Sequence, residues 1–312
     1  MDRFDQKAST AGPVDPETMV APRDPELALA FEVIRPRGTA APVIFSSGHS
    51  GRVYPAAFIG ASRLDPLTLR RSEDAFVDEL FGAAPELGAS LLRAHFPRAY
   101  MDVNREPYEL DPKMFEGRLP AFANTRSMRV AGGLGTIARV VGEAKEIYAR
   151  KLTVEEGLER IESLYKPWHR ALRGLMQQAW RQRGVAVLVD CHSMPSNAGR
   201  ADRIKADIVL GDRYGASCDP LFTEAAETRL RALGYAVARN KPYAGGFITE
   251  HYGDPGAGWH ALQIEINRGL YMDETTLEHA SGFDELQSDL RQVMQALIEV
   301  AGVFGERSLA AE

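Results

Sequence analysis

Two histidines stand in surroundings that suit metal binding or proton transfer. The apolar, β-branched run Val185 to Asp190 predicts a buried parallel strand, and His192 stands at its carboxyl end. His49 follows a second predicted strand, residues 42–45, within the segment Ser-Ser-Gly-His-Ser-Gly. Ligands of open α/β sheets bind outside the carboxyl ends of the strands. Both imidazoles are therefore expected at one crevice.

Two neutral imidazoles and one carboxylate form the ligand set of a catalytic zinc that keeps one position open for water. His49 and His192 would supply the nitrogens, and Asp74 is the predicted third ligand, with Glu73 and Asp78 as alternatives. Each acid could equally be a solvated charge on a helix, and a single histidine at a strand end could serve only as a hydrogen-bonding cap. The sequence thus predicts a Zn²⁺ site at His49, Asp74 and His192.

A glutamate interrupts a predicted strand near the carboxyl end of the chain. Residues 261–266 alternate apolar and polar side chains, and Glu265 lies on the polar face. A carboxylate in the middle of a strand is costly unless it is paired or faces a cleft. Glu265 is predicted to take a proton from water and pass it to a leaving nitrogen. The alternative is a structural salt bridge, for example to Arg268.

The segment Asp-Val-Asn-Arg at 102–105 offers a guanidinium, Arg105, whose fork matches a carboxylate. Four other arginines compete for this duty: Arg98, Arg126, Arg129 and Arg213. Cys191 is expected to be a packed thiol, because neighbouring residues of a strand point to opposite faces. His169 lies in an apolar helical stretch and is expected in the core or behind the ligands.

The composition limits the classes of function. The 312 residues carry a formal net charge of −6, which argues against nucleic acid as a partner, since phosphate binding needs clustered Lys and Arg. Two cysteines imply no disulfide framework, and neither a signal sequence nor a membrane-spanning run is visible, so a cytoplasmic location is predicted. Proline-rich residues 1–25 are predicted to be a flexible tail, and residues 26–305 a single α/β domain.

Several helices are expected around these strands. Residues 67–81 have helical apolar spacing, which would place Asp74 and Asp78 on one helix face. A second helix is expected from the capping box at 153–156 to Gly184, and Pro167 is expected to kink it. Residues 109–135 are expected to form a long surface excursion, and residues 283–300 a closing helix.

These motifs together resemble those of the N-formylglutamate amidohydrolase family. The similarity spans about residues 30 to 300 and rests on the segments at 48–55, 74–81, 102–105, 190–195, 211–215, 245–246 and 263–268. That family is similar in turn to the zinc carboxypeptidase and aspartoacylase group. The resemblance implies a three-layer α/β sandwich with a mixed, mainly parallel sheet and a zinc ion held by two histidines and an acid.

The resemblance also implies roles for individual residues. His49 and His192 would be ligands, Glu265 the acid and base, and Asn104 with Arg105 a clamp for the substrate carboxylate. Arg105 or a neighbouring arginine is also expected to stabilise the oxyanion. Ser193 and Arg213 complete the predicted substrate-binding set. Two positions depart from the related patterns: Arg52 stands where carboxypeptidases have their acidic ligand, and Ala75 replaces an aromatic residue.

The expected activity is hydrolysis of N-formyl-L-glutamate to L-glutamate and formate, with histidine catabolism as the implied pathway. Two alternatives stay open at this point. The substrate could be another N-acyl amino acid or a short peptide, or the chain could be a binding protein that kept the pocket. The oligomeric state is not predicted.

Overall fold

A seven-stranded sheet forms the centre of a computed structural model, which describes residues 21–142, 144–199 and 205–309. Its strands are β1 (Phe31–Ile34), β2 (Val43–Ser47), β3 (Ser90–Ala94), β4 (Ala186–Met194), β5 (Ile208–Gly211), β6 (Val237–Arg239) and β7 (Trp259–Asn267). Their order across the sheet is β1-β3-β2-β4-β7-β5-β6. The pairs β1/β3 and β5/β7 are antiparallel and the other pairs are parallel, so the predicted mixed, mainly parallel sheet is confirmed.

Helices cover both faces of the sheet. They are α1 (Ala56–Ala61), α2 (Pro66–Arg70), α3 (Val77–Leu80), α4 (Met128–Ala131), α5 (Val154–Arg160), α6 (Lys166–Arg183), α7 (Pro220–Ala232), α8 (Phe247–Tyr252) and α9 (Phe283–Leu309). One apolar core joins Leu188 of the sheet to Trp168 and Leu172 of α6. A second core joins Val187 to α7 and α9 on the opposite face. The predicted three-layer sandwich is therefore confirmed.

Alternation along β4 determines which side chains reach the functional face. Val187, Val189 and Cys191 pack into the core under α7 and α9, so Cys191 is the packed thiol that its position predicts. Leu188 points to the other face, and Asp190 and His192 follow it at the two-residue period of a strand. The strand is longer than predicted, and His192 lies within it.

The helix predicted over residues 67–81 is wrong in its middle. The segment forms two short helices, α2 and α3, separated by residues 71–76. Phe76 at the start of α3 has φ of +64°, a left-handed conformation that a helix cannot contain. The backbone N–H of Asp74 donates to the carbonyl of His49 at 3.0 Å, which holds this connection against the carboxyl end of β2. Asp74 and Asp78 therefore do not share a helix face.

The helix expected from the capping box to Gly184 is present with an irregularity. Thr153 and Glu156 form the capping box at the start of α5, and a π-helical turn over Ile161–Tyr165 leads into α6 before Pro167. Backbone irregularity just before a proline is a known cause of helix bending.

The remaining segments are short and lie around the sandwich. The excursion at 109–135 contains a 3-10 turn at Pro112–Met114, a strand at Phe115–Glu116 and α4. Residues 1–20, most of the predicted tail, lie outside the described residues, and the boundary of the domain stays a prediction. Among the described residues, none of the helices combines the length and the apolar composition that a membrane-spanning segment needs.

Candidate metal and active site

Three side chains from distant parts of the sequence meet at the carboxyl ends of β2 and β4, which are neighbours in the sheet. The rings of His49 and His192 lie 4.8 Å apart between centroids. Oδ2 of Asp74 lies 3.4 Å from Nδ1 of His49 and 3.0 Å from Nδ1 of His192. The exposed fractions of His49, His192 and Asp74 are 1%, 3% and 0%, so all three side chains are almost completely buried.

This group fits a small divalent cation. Zinc–nitrogen and zinc–oxygen bonds of about 2.0–2.2 Å in a tetrahedron place two ligand atoms about 3.3 Å apart, close to the observed separations. Nδ1 of His49 is buried and, among the described residues, makes no hydrogen bond. An unpartnered imidazole nitrogen directed at a carboxylate and a second imidazole is the donor set that a borderline-soft metal prefers.

The far nitrogen of each imidazole is bound by another carboxylate. Nε2 of His49 lies 2.7 Å from Oδ1 of Asp102, and Nε2 of His192 lies 2.7 Å from Oδ2 of Asp190. A carboxylate in this place fixes the tautomer and ring orientation of a ligating histidine and raises its basicity. Each imidazole is thus held with Nε2 protonated and Nδ1 turned towards Asp74.

The charges of these groups are strongly coupled. Burial raises the pKa of Asp74, but the contacts with His192 and His49 outweigh it and hold the pKa well below its ordinary value. Burial likewise raises the pKa of Asp102, and the charges of Arg105, His49 and Arg98 more than reverse this effect. Both carboxylates are therefore ionised at neutral pH, the form in which a carboxylate can bind a cation.

Glu265 lies beside His192 on the neighbouring strand. The two residues are opposite one another in the parallel pair β4/β7, and Nε2 of Gln263 donates to Oε1 of Glu265 at 2.8 Å. Burial raises the pKa of Glu265 to about 7, with the charge of Asp74 acting in the same direction and that of His192 opposing it. A carboxyl group with such a pKa can take up and return a proton near neutral pH.

The alternative of a salt bridge between Glu265 and Arg268 does not describe the structure. Nη2 of Arg268 donates to Oδ1 of Asp74 at 2.9 Å, and its Nε donates to Oγ of Ser193 at 3.1 Å. Within the described ranges, Glu265 forms no ion pair. Ser193, a predicted substrate-binding residue, thus contacts an arginine that holds Asp74.

The arginines proposed for substrate binding occupy different environments. Arg105 donates from Nε and Nη1 to the carbonyls of Leu134 and Asn104, and its Nη2 lies 3.6 Å from Asp102. Arg98 donates to Oδ2 of Asp102 at 3.1 Å and lies 3.9 Å from Oδ1 of Asp74. Burial lowers the pKa of its guanidinium, but the charges of Asp102 and Asp74, with a smaller effect of Glu265, raise it above its ordinary value. Arg98 and Arg105 therefore both lie beside the group formed by His49, Asp74 and His192, which we call the ligand group.

Arg213 lies further out, at the start of the loop that follows β5. Its backbone is left-handed, with φ of +52°, and its side chain is one-third exposed and paired with Glu250 at 3.2 Å. Gly245 makes room for it, because a Cβ there would lie 3.0 Å from Cγ of Arg213. Arg213 thus has an exposed partner, Glu250, that a competing anion can replace.

The rival acids and the two departures from related patterns lie away from the ligand atoms. Glu73 is bound by Arg70 at 3.0 Å, and Asp78 lies 3.5 Å from Arg52. Arg52 also pairs with Glu79 on α3 at 2.7 Å. Ala75 is buried in the apolar core under α9. Residue 75 is therefore part of the packing.

Sequence reasoning assigned no functional role to four residues whose contacts are given above: Asp102, Asp190, Gln263 and Arg268. Asp190 and Gln263 each stand two residues before a predicted functional residue on the same strand face, and this period-two signal could have identified them. His169, in contrast, bonds Tyr252 and the carbonyl of Val103, and burial lowers its pKa to about 3, as befits a core histidine.

Two curated proteins are similar to this chain in sequence. N-formylglutamate deformylase of Pseudomonas putida is 32% identical over 233 residues, which cover 72% of this chain and 80% of that protein. N-formylglutamate deformylase of Pseudomonas aeruginosa PAO1 is 28% identical over 274 residues, covering 86% of this chain and 96% of that protein.

Solved structures give a consistent result. The crystal structure of N-formylglutamate amidohydrolase from Ralstonia eutropha is 40% identical, with a TM-score of 0.83 over 87% of this chain and 98% of that one. A gene product of Agrobacterium tumefaciens, 18% identical with a TM-score of 0.56, shares the fold over 87% of this chain and 94% of that one. The sequence model of the N-formylglutamate amidohydrolase family matches residues 41–272. This chain therefore belongs to the N-formylglutamate amidohydrolase family.

Proposed function

We propose that the protein hydrolyses the formyl amide of N-formyl-L-glutamate to L-glutamate and formate, with Zn²⁺ held by His49, Asp74 and His192. The observation that carries the proposal is the convergence of two Nδ1 atoms and one carboxylate oxygen beside Glu265. The relatives named N-formylglutamate deformylase support the choice of substrate.

Zinc, when bound, supplies a Lewis acid that polarises the carbonyl and makes a water molecule more acidic. Glu265 accepts a proton from the attacking water and returns it to the amide nitrogen, so that the C–N bond breaks and the amine leaves neutral. Gln263 orients the carboxylate for both transfers through its 2.8 Å hydrogen bond. Arg98 or Arg105 stabilises the negative charge that develops on the carbonyl oxygen.

The substrate carries two carboxylates, and the site has separate cations to meet them. Arg105 is mostly buried near the ligand group, whereas Arg213 lies at the exposed loop after β5. A dicarboxylate can thus be bound at both ends while its formyl group faces Glu265. Charge-assisted hydrogen bonds of this kind fix orientation as well as adding affinity.

A formate-release assay coupled to metal analysis tests the proposal. Protein purified without chelator is assayed with N-formyl-L-glutamate, N-acetyl-L-glutamate and a dipeptide that ends in glutamate. We expect zinc near one equivalent per chain and fastest hydrolysis of the formyl compound. Preference for either other substrate would replace the proposed one, and absence of both metal and hydrolysis after zinc addition would favour a binding protein.

Zinc binding is expected to tighten as the pH rises. Burial lowers the pKa of His192, but the charge of Asp190 and the hydrogen bonds of Asp190 and Asp74 raise it well above its ordinary value. The cation-free imidazole is therefore protonated at neutral pH and must lose a proton before Nδ1 coordinates a metal. Apparent affinity should rise about tenfold per pH unit in the neutral range, measured by chelator competition. An affinity independent of pH would contradict this expectation.

Replacing Arg213 should weaken binding of the dicarboxylate selectively. We expect Arg213→Ala to raise KM for N-formyl-L-glutamate about tenfold, since it removes a charge-assisted hydrogen bond. N-formyl-L-glutamine lacks the side-chain charge, so its KM should be nearly the same for the parent and the variant. An equal rise for both substrates in steady-state assays would show that Arg213 does not read the side-chain carboxylate.

A further inference from the structure

The side chain of Asn104 is already engaged within the protein. Its Oδ1 accepts the backbone N–H of Ile248 at 2.8 Å, and its Nδ2 donates to Oδ2 of Asp190 at 3.3 Å and lies 3.2 Å from Nε2 of His192. These partners fix the amide orientation, because a backbone N–H only donates and a carboxylate only accepts. The residue is 5% exposed. Asn104 therefore joins the start of α8 to the carboxylate behind His192.

Asp190 is a buried carboxylate with one oxygen that is unpartnered within the described part of the chain, an arrangement that costs stability. Its Oδ2 accepts from Nε2 of His192 at 2.7 Å and from Asn104, while its Oδ1 is buried and has no hydrogen-bond partner in the described ranges. The residue is completely buried. A carboxylate oxygen without a partner in such a place costs free energy. Groups of this kind are retained where they orient a functional neighbour.

The backbone at the start of α8 closes tightly on this pair. A Cβ at Gly246 would lie 2.4 Å from Nδ2 of Asn104, so only glycine permits this approach. The N–H of Gly246 also donates to Oε1 of Gln263 at 2.8 Å, and Gln263 in turn holds Glu265. One short segment thus supports both the imidazole and the proposed proton-transfer group.

We propose that Asn104 and Asp190 form a positioning pair that holds the ring of His192 with Nδ1 towards the cation, and that Asn104 does not serve as a clamp for the substrate carboxylate. The role given to the cation rests on the proposed function. The role given to Asn104 differs from the one that the family resemblance implies. The side-chain oxygen of Asn104 already accepts a hydrogen bond from Ile248, and one of its N–H groups donates to Asp190. Asn104 is therefore poorly suited to bind a substrate carboxylate.

Two variants of the full chain test the pair. Asp190→Asn and Asn104→Ala are each expected to weaken zinc binding 10- to 100-fold in chelator competition, the usual effect of losing a group that orients a metal-binding histidine. At saturating zinc, Asn104→Ala should change KM for N-formyl-L-glutamate less than threefold and lower kcat. A carboxylate clamp would show the opposite split, with a KM raised tenfold or more and unchanged zinc affinity, and that result would overturn the proposal.

Asp212→Asn is the matched control, because Asp212 is also a buried carboxylate bound by an asparagine, Asn240, after a strand end. Asp212→Asn should leave zinc affinity unchanged, and a loss equal to that of Asp190→Asn would overturn the specific role of Asp190 in orienting His192.

Nitrogen-15 spectra of the histidines supply a readout independent of metal. The Nε2 proton of His192 should shift or disappear in both test variants, and an unchanged signal in the cation-free protein would refute the pair. If the parent protein binds no zinc, the proposed function fails, but the spectra still show whether Asn104 and Asp190 position the ring of His192.

Discussion

Glu265→Gln is expected to lower kcat for N-formyl-L-glutamate by a factor of about 10² to 10⁴, the usual contribution of a general acid and base. The amide keeps the size of the side chain and its contact with Gln263 but cannot accept the proton of the attacking water. Zinc content should stay at the parental level, because Glu265 is not among the three converging donors. The loss should therefore be confined to turnover.

The pH profile gives a second measure of the same role. The pKa of Glu265 is about 7 in the cation-free site, and a nearby cation shifts it downward. Only the carboxylate accepts a proton, so kcat of the parent should fall as the pH decreases through this pKa. Glu227→Gln on α7, against the other face of the sheet, is the control and should match the parent. A Glu265→Gln enzyme with near-parental kcat would remove the residue from the mechanism.

Asp74→Ala should have the largest effect on the metal site and on stability together. It removes one of three donors, so zinc should be lost on dialysis, and it leaves Arg268 buried without its carboxylate partner at 2.9 Å. Breaking a buried ion pair from one side costs about 3–5 kcal/mol. The free energy of unfolding, from denaturant titration of the cation-free protein, should fall by that amount.

The neighbouring acids supply controls for this variant. Glu73→Gln and Asp78→Asn remove carboxylates that hold Arg70 and Arg52, so both variants should lose some stability yet retain zinc. Metal retained by Asp74→Ala at full stoichiometry would contradict the assignment of the third ligand. Loss of metal in Glu73→Gln alone would transfer that role to Glu73.

Sequence patterns identified the strands of the site better than the segments between them. The apolar runs before His49 and His192 predict β2 and β4, because burial on both faces of a parallel sheet demands such runs. The break at residues 71–76 has no local signal of comparable strength. The left-handed Phe76 ends a connection in which the N–H of Asp74 is held by the carbonyl of His49, a contact between segments that a local sequence pattern does not reveal.

The supports behind the ligands illustrate the same limit. Asp102 and Asp190 are recognisable only once the imidazoles are placed, since the hydrogen bond from His49 to Asp102 spans 53 residues. The role of Arg268 is equally non-local, because it reaches Asp74 across 194 residues. A motif can identify residue types, but only the fold shows which groups they contact.

The group of His49, Asp74 and His192 draws on chain segments that lie far apart, since Asp74 and His192 are 118 positions apart in the sequence. An ion bound there acts as a reversible cross-link between the amino-terminal strands and the centre of the sheet. Such a link closes a long loop, whose entropy is expensive to restrict when the rest of the chain is unfolded. Loading with metal is consequently tied to the pairing of β2 with β4, because a nascent chain that ends before β4 lacks His192, the second imidazole of the group.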